Sequence, residues 1–248
     1  MPMKCFCCGE EVGNVSVCPV CGQALVQNCA KVAQMQSVQP AHSGADVFER
    51  AANGILEISW SEILYRHSGS GLLLSLSGYA LTNAHVVRND KKQYVTKVKV
   101  KIAGETVSAS VLCSGECMKG CEPVDLALLM LDSVPSAAAP FEFDDSARVK
   151  NGERVYVVGN SLGYGTCITE GIISDKLRDV NGRNLMMTDC AVNHGNSGGP
   201  MFNEEGKVIG VIVSVIERAE GMNFAIPSRT VMQFLGACGV LSAIKKNF

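Results

Sequence analysis

Residues 97–111 read KVKVKIAGETVSASV, and this stretch decides the fold class. Lysine alternates with branched apolar residues as far as Ile102, which is the period-two pattern of a strand with one buried face. Gly104 and Glu105 have the composition of a turn, and the alternation resumes after them as far as Val111. The stretch therefore predicts two antiparallel strands joined by a tight turn.

The sequence on both sides has a similar pattern, in which short apolar segments are separated by glycine and polar residues. Further strands are predicted at 71–76, 79–83, 126–131, 154–158, 166–173, 184–188, 207–216 and 222–226. Helices are predicted only at 46–54 and at 228–235, where Ser228 follows Pro227 and could act as the N-cap. Many short strands with turn signals between them favour an antiparallel barrel or sandwich over alternating strands and helices.

Composition excludes several classes of function. The 248 residues are 47% hydrophobic and 19% charged, and 22 basic against 24 acidic residues give a net charge of −2. We expect no nucleic acid partner and no membrane, because there is no basic field and no apolar run of about 18 residues. Residues 1–10 hold three cysteines instead of the apolar core of a secretory signal. A reducing, cytoplasmic location is therefore predicted.

Two cysteine pairs at the N-terminus predict a metal site. Cys5 and Cys8 form one pair, Cys18 and Cys21 form the other, and a glycine follows each pair. Four thiolates satisfy a tetrahedral zinc ion and leave no open position for water, so one structural zinc per chain is expected. The pattern resembles small zinc ribbons, in which the metal supplies most of the folding energy. Cys7 is an alternative ligand whose spacing fits less well.

The cysteine pairs also divide the chain into domains. We predict a zinc ribbon over 1–25, a linker rich in Gln, Ala and Ser over 26–45, and one large domain over 46–248. The predicted zinc ribbon, which we call the head, carries no excess of basic residues. A protein partner or a structural role is therefore favoured over nucleic acid binding.

Residues 193–200 read NHGNSGGP, which is the composition of a tight turn that presents a serine. The N–H groups of Ser197 and Gly195 could converge there to hold an oxyanion. Serine is a weak nucleophile, so a base and an orienting carboxylate are needed from elsewhere in the chain. His85 follows one apolar strand and Asp125 precedes another, which predicts a His85, Asp125 and Ser197 triad.

Taken together, these motifs resemble the HtrA/DegP-type branch of the trypsin-like serine proteases. The matching segments, in the order of that family, are 69–71, 82–85, 125–129, 158–163, 171–174, 188–189, 195–200 and 223–227. The resemblance covers roughly residues 47–235 and implies an all-β fold of two packed antiparallel β-barrels, chymotrypsin-like, with the active site between them. The family usually carries PDZ domains after the protease, and we expect this chain to lack them.

The resemblance further implies a serine endopeptidase that acts on unfolded or specific protein substrates. It places Ala191 and Val192 at the substrate pocket, where no carboxylate is available to pair with a basic side chain. The alternative is a catalytically silent peptide-binding protein that uses the same fold and the zinc ribbon as an adaptor. The oligomeric state is left open.

Three more cysteines, Cys113, Cys117 and Cys121, lie in the segment before Asp125. They could bind a metal with a fourth ligand, form a reversible disulfide, or remain three reduced thiols. No fourth ligand is evident, and the geometry of a disulfide cannot be read from spacing, so reduced thiols are favoured.

Overall fold

The computed structural model describes residues 3–4, 11–12, 43–62, 65–89, 91–117, 122–213 and 222–244. The chain divides into two compact units, Met1–Ala41 and His42–Phe248. In the first unit, β1 (Met3–Lys4) pairs with β2 (Glu11–Val12) in an antiparallel sheet. The four cysteines predicted to hold zinc lie outside the described residues.

The first six strands of the second unit close into an antiparallel barrel. They are β3 (Ile55–Ser61), β4 (Arg66–Leu73), β5 (Tyr79–Thr82), β6 (Lys97–Ile102), β7 (Glu105–Ser114) and β8 (Ala127–Leu131), in the order β3-β4-β5-β8-β7-β6. The predicted hairpin is formed by β6 and β7, and side chains along β6 alternate between exposed and buried as its sequence alternates between lysine and apolar residues. A short 3-10 helix, Ala84–Val87, follows β5.

The next six strands close a second antiparallel barrel. They are β9 (Arg154–Asn160), β10 (Thr166–Val180), β11 (Arg183–Thr188), β12 (Pro200–Phe202), β13 (Val208–Ile212) and β14 (Asn223–Pro227), in the order β10-β11-β14-β13-β12-β9. A 3-10 helix, Ser161–Gly163, follows β9. In the described ranges, three α-helices lie outside the barrels: α1 (Gly44–Ala51), α2 (Ser228–Ala237) and α3 (Leu241–Ile244). The prediction of an all-β fold with two barrels is confirmed.

The sequence prediction missed two strands and misplaced one cap. The strands β3 and β12 were not expected, and α2 begins at Ser228 with Pro227 as its N-cap. The Ser228 hydroxyl does not cap the helix, because it donates to the carbonyl oxygen of Asp144 at 2.6 Å. Helix α1 begins two residues earlier than predicted, because Ser43 and Asp46 form a reciprocal capping box.

Three groups of buried apolar side chains hold the second unit together. Two of them fill the interiors of the barrels, with Leu56 in the first and Met201 in the second. The third, which we call the interbarrel cluster, combines Leu81 of β5, Phe202 of β12 and Phe234 of α2 among its members. Because this cluster packs side chains from both barrels and from α2, it holds the two barrels against each other. No helix in the described ranges is long and apolar enough to cross a membrane.

Candidate active site

Strand pairing brings His85 and Asp125 to the same end of the first barrel. Strands β5 and β8 are antiparallel, and Thr82 pairs with Ala127. The residues that follow β5 therefore lie beside the residues that precede β8. We call these two adjoining segments, 83–85 and 125–126, the corner. The side chain of Asn83 joins them, since its Nδ2 donates to the carbonyl oxygen of Asp125 at 2.8 Å.

Asp125 holds His85 through both of its carboxylate oxygens. The Oδ2 atom lies 2.7 Å from Nδ1 of the His85 ring, and Oδ1 accepts from the His85 backbone N–H at 3.0 Å. Burial raises the pKa of the Asp125 carboxyl, but the hydrogen bonds and charge of His85, with a contribution from Arg183, outweigh this, so the pKa lies below its ordinary value. The carboxylate is thus stable in its charged form, which is the form that orients a histidine ring.

The 3-10 helix that carries His85 is also held by contacts from β3 and β4. The indole Nε1 of Trp60, on β3, donates to the carbonyl oxygen of Val86 at 2.8 Å. Val86 also packs on Gly69, where an added Cβ would lie 2.6 Å from a Val86 methyl group. The backbone of His85 is therefore held by hydrogen bonds and by packing from two neighbouring strands.

The Ser197 loop connects β11 to β12 in the second barrel, and two glycines shape it. Gly195 and Gly198 have φ of 97° and 86°, a region that residues with a side chain rarely adopt. A Cβ at Gly198 would also collide with the carbonyl oxygen of Ser70. The N–H of Gly198 donates to the carbonyl oxygen of Ile212 at 2.8 Å, which anchors the loop to β13.

Ser70, on β4, joins this loop to the first barrel. Its backbone N–H donates to the carbonyl oxygen of Ser197 at 2.8 Å, and its hydroxyl donates to the carbonyl oxygen of Gly195 at 2.6 Å. The same hydroxyl accepts from the N–H of Asn160 at 2.8 Å. Ser70 is fully buried, so these bonds are shielded from water. The sequence analysis did not identify this role, although a serine between two glycines in an apolar strand was a visible signal.

The remaining predicted residues, Gly195, Ala191 and Val192, lie in the Ser197 loop. No hydrogen bond between described residues uses the N–H of Gly195 or of Ser197 as donor, and none joins the Ser197 hydroxyl to the His85 ring. Catalytic hydrogen bonds often tighten only in the substrate complex. Ala191 is exposed and Val192 is buried. Residues 214–216 of the predicted strand 207–216 lie outside the described residues.

Two further features bear on ligands. Within the described ranges, no group of three or more His, Cys, Asp or Glu side chains is placed to hold a metal ion. A cavity of 830 Å³ lies beside Asp125, between the turn that joins β10 to β11 and helix α2. Its lining includes Asp125 and Arg183 but neither His85 nor Ser197.

Comparison with known proteins agrees with this geometry. Residues 69–211, more than half of the chain, match the family model described as the trypsin-like peptidase domain. Among solved structures, the HtrA-type protease AlgW with a tripeptide is 28% identical, with a TM-score of 0.66 and coverage of 78% of this chain and 63% of that one. The serine endoprotease from Yersinia pestis is 27% identical, with a TM-score of 0.64 and coverage of 78% and 65%.

Curated relatives are more similar in sequence. A probable periplasmic serine endoprotease, DegP-like, from Rickettsia conorii is 40% identical over 173 residues, which are 65% of this chain and 32% of that protein. The serine protease HTRA1B of Danio rerio is 34% identical over 204 residues, 77% of this chain and 40% of that protein. The chain thus spans about a third of the length of the first of these relatives.

These names overturn one prediction. The chain was expected to be cytoplasmic, whereas the relatives from Rickettsia and Marinomonas are named periplasmic endoproteases. The prediction of a cytoplasmic location is therefore wrong. It rested on the composition of residues 1–10, which does not measure the redox state of the compartment.

Proposed function

Because the chain belongs to the trypsin-like peptidase family, we propose that it is a serine endopeptidase of the HtrA/DegP type. The observation that carries this proposal is the pair of contacts from the Asp125 carboxylate to the ring and the backbone N–H of His85. A histidine held at two points by a buried carboxylate is the arrangement that a serine nucleophile requires.

In the proposed mechanism, Ser197 Oγ attacks the scissile carbonyl while Nε2 of His85 takes its proton. His85 then delivers that proton to the leaving amine, and Asp125 stabilises the imidazolium that forms between these two steps. The N–H groups of Gly195 and Ser197 bind the oxyanion, and the absence of another acceptor for either group among the described residues supports this role. Water then hydrolyses the acyl-enzyme by the same steps in reverse order.

The substrate is proposed to be a protein or peptide with a small or medium apolar side chain before the cleaved bond. Ala191 and Val192, beside the Ser197 loop, offer no charge to bind lysine or arginine at that position. Cleavage mapping on an unfolded casein checks this. A dominant cut after arginine would contradict the proposal.

A fluorophosphonate probe tests the nucleophile directly. Wild type should be labelled at Ser197, and Ser197→Ala should abolish both labelling and cleavage of a peptide substrate. Ser136→Ala is a matched control, because Ser136 is exposed and lies in a different turn. Proteolysis that persists in Ser197→Ala would refute the mechanism, and peptide binding without any labelling of wild type would instead favour a silent binding protein.

We also propose that Cys5, Cys8, Cys18 and Cys21 bind one structural zinc ion and that the head recruits a protein partner. The support is the set of four thiolates at ribbon spacing. Metal analysis of the full chain should find about one zinc per chain. Cys18→Ser should lower this content and leave peptidase turnover intact, whereas Cys29→Ser, the control, should change neither. Turnover that depends on zinc would contradict a purely structural role.

A further inference from the structure

Two cysteines that are far apart in sequence lie in contact. The Sγ atoms of Cys113 and Cys238 are 3.0 Å apart, although 125 residues separate them along the chain. This distance exceeds the length of a disulfide bond by only about 1 Å. Cys113 lies near the end of β7 in the first barrel, and Cys238 directly follows α2.

The backbone at Cys238 is fixed by the end of helix α2. The N–H of Val240 donates to the carbonyl oxygen of Leu235 at 3.2 Å, and the N–H of Gly239 donates to that of Gly236 at 3.0 Å. With φ of 74° at Gly239, these two bonds form a Schellman motif. Val240 and Leu235 are both buried in the interbarrel cluster, so the position of the Cys238 thiol is set by helix geometry and packing together.

The backbone at Cys113 is fixed by a bulge. Val111 pairs with Leu129 and Cys113 pairs with Leu128, so Leu112 is an extra residue in β7. A bulge changes the direction of the side chains that follow it. The side chain of Cys113 packs on the interbarrel cluster, as that of Cys238 does, and both remain partly accessible to solvent.

We propose that Cys113 and Cys238 form a disulfide that links β7 of the first barrel to helix α2, which follows the second. The oxidant is a small-molecule or protein disulfide. One cysteine thiolate attacks it and releases one thiol, and the other cysteine then attacks the mixed disulfide and releases the second thiol. The two cysteines lose two electrons and two protons, and the oxidant is reduced to two thiols.

The other described thiols fit this pairing less well. Cys117 is exposed and follows Cys113 by four residues, with its backbone held in a turn by a bond from its N–H to the carbonyl oxygen of Ser114 at 3.2 Å. Cys190 is fully buried in the interior of the second barrel, and Cys167 lies at the start of β10, where it pairs with Gly159 of β9. Cys117 is therefore the competing partner that an experiment has to exclude.

The proposed link lies next to the Asp125 segment. Just after Cys113, the N–H of Gly115 donates to the carbonyl oxygen of Leu126 at 2.8 Å, and the carbonyl oxygen of Gly115 accepts from the N–H of Val124 at 3.4 Å. These bonds flank Asp125 on both sides. A bond from Cys113 to α2 would tie this segment to the helix that packs against β13 and β14.

Peptide mapping of the full-length protein tests the pairing. The protein is equilibrated with oxidised glutathione, its remaining thiols are blocked with N-ethylmaleimide, and it is digested without reduction. We expect a linked peptide that joins Cys113 to Cys238. We also expect the melting temperature of the oxidised protein to fall by about 10 °C on reduction, because the bond closes a long loop.

Two variants separate this bond from other thiol chemistry. In Cys238→Ser the linked peptide and the temperature shift should disappear, whereas Cys117→Ser should keep both. The first variant also corrects for any effect of the reductant on the N-terminal cysteines. A bond between Cys113 and Cys117, or alkylation of both Cys113 and Cys238 after oxidation, would overturn the proposal. None of these readouts depends on peptidase activity.

Discussion

The His85–Asp125 pair owes its geometry to the pairing of β5 with β8, whereas the Ser197 loop is held by two glycines and by the hydroxyl of Ser70. A register is shared by many backbone hydrogen bonds, so the loss of one contact leaves the corner in place. The loop is held by single contacts from separate elements, among them the hydroxyl and N–H of Ser70 and the bond from Gly198 to Ile212. Substitutions in the corner should therefore affect the chemistry of the site, and substitutions around the loop should affect its geometry.

The largest effect is expected from Asp125→Asn, which changes the chemistry and keeps the shape. Asparagine can still contact His85, but its amide favours the wrong tautomer of the ring. We expect kcat/KM for a peptide substrate to fall by about 10⁴-fold with little change in the circular dichroism spectrum. The matched control is Asp132→Asn, because Asp132 is exposed and pairs with Lys97 at 3.5 Å on the surface. A fall of less than about tenfold would contradict the role assigned to Asp125.

Ser70→Ala tests the other side of the comparison. The substitution leaves the carbonyl oxygen of Gly195 and the N–H of Asn160 without the Ser70 hydroxyl, so the loop loses one of the contacts that orient it. We expect kcat and the rate of fluorophosphonate labelling to fall by up to about 10²-fold, with a smaller change in KM. Measurements well below the melting temperature separate this effect from partial unfolding.

Ser68→Ala provides the control for Ser70→Ala, because Ser68 lies two residues earlier on β4 with an exposed side chain. It should leave kcat unchanged. If the probe labels Ser70→Ala as fast as wild type, the Ser70 hydroxyl contributes only to packing between the barrels. That result would contradict the proposed dependence of the Ser197 loop on this hydroxyl.

Titration of Asp125 sharpens the description of the corner. Burial alone raises the pKa of this carboxyl, and the contacts with His85 bring it below the ordinary value of 3.8. In wild type, the stabilisation from this contact is present above pH 3.8 and is lost as the pH falls through the lower pKa of the folded state. In His85→Ala the pKa of Asp125 should rise, because the hydrogen bonds and charge of His85 no longer offset the effect of burial. Carbon NMR of the side chain measures both values, and a pKa that does not rise in the variant would contradict this account.

Most of the fold could be predicted from local sequence patterns, and the strands that the prediction missed have local explanations. The alternation in β6 matched its burial, whereas β12 has three residues and begins with a proline, so it carries no periodic signal. The candidate triad was recognisable because its motifs are contiguous. The hydrogen bond from Ser70 to Gly195 and the contact between Cys113 and Cys238 each span 125 residues, and no local pattern encodes contacts of that length.

The smallest effect is expected from Cys190→Ala, at the start of the Ser197 loop. Burial raises the pKa of the Cys190 thiol to about 11, so little thiolate is available for alkylation near neutral pH. The loop is anchored here through the backbone, since Nδ2 of Asn223 donates to the carbonyl oxygen of Cys190 at 2.6 Å, and alanine retains that acceptor. The thiol packs in the interior of the second barrel and donates one long hydrogen bond, to the carbonyl oxygen of Val155 at 3.7 Å. We therefore expect kcat/KM to change by less than about twofold, with a loss of about 1 kcal/mol in the free energy of unfolding from the small cavity. Iodoacetamide at neutral pH should modify the exposed Cys117 and leave Cys190 intact in the folded protein. A large fall in kcat/KM would show that the side chain at position 190 shapes the loop, and the backbone anchor would then not be sufficient.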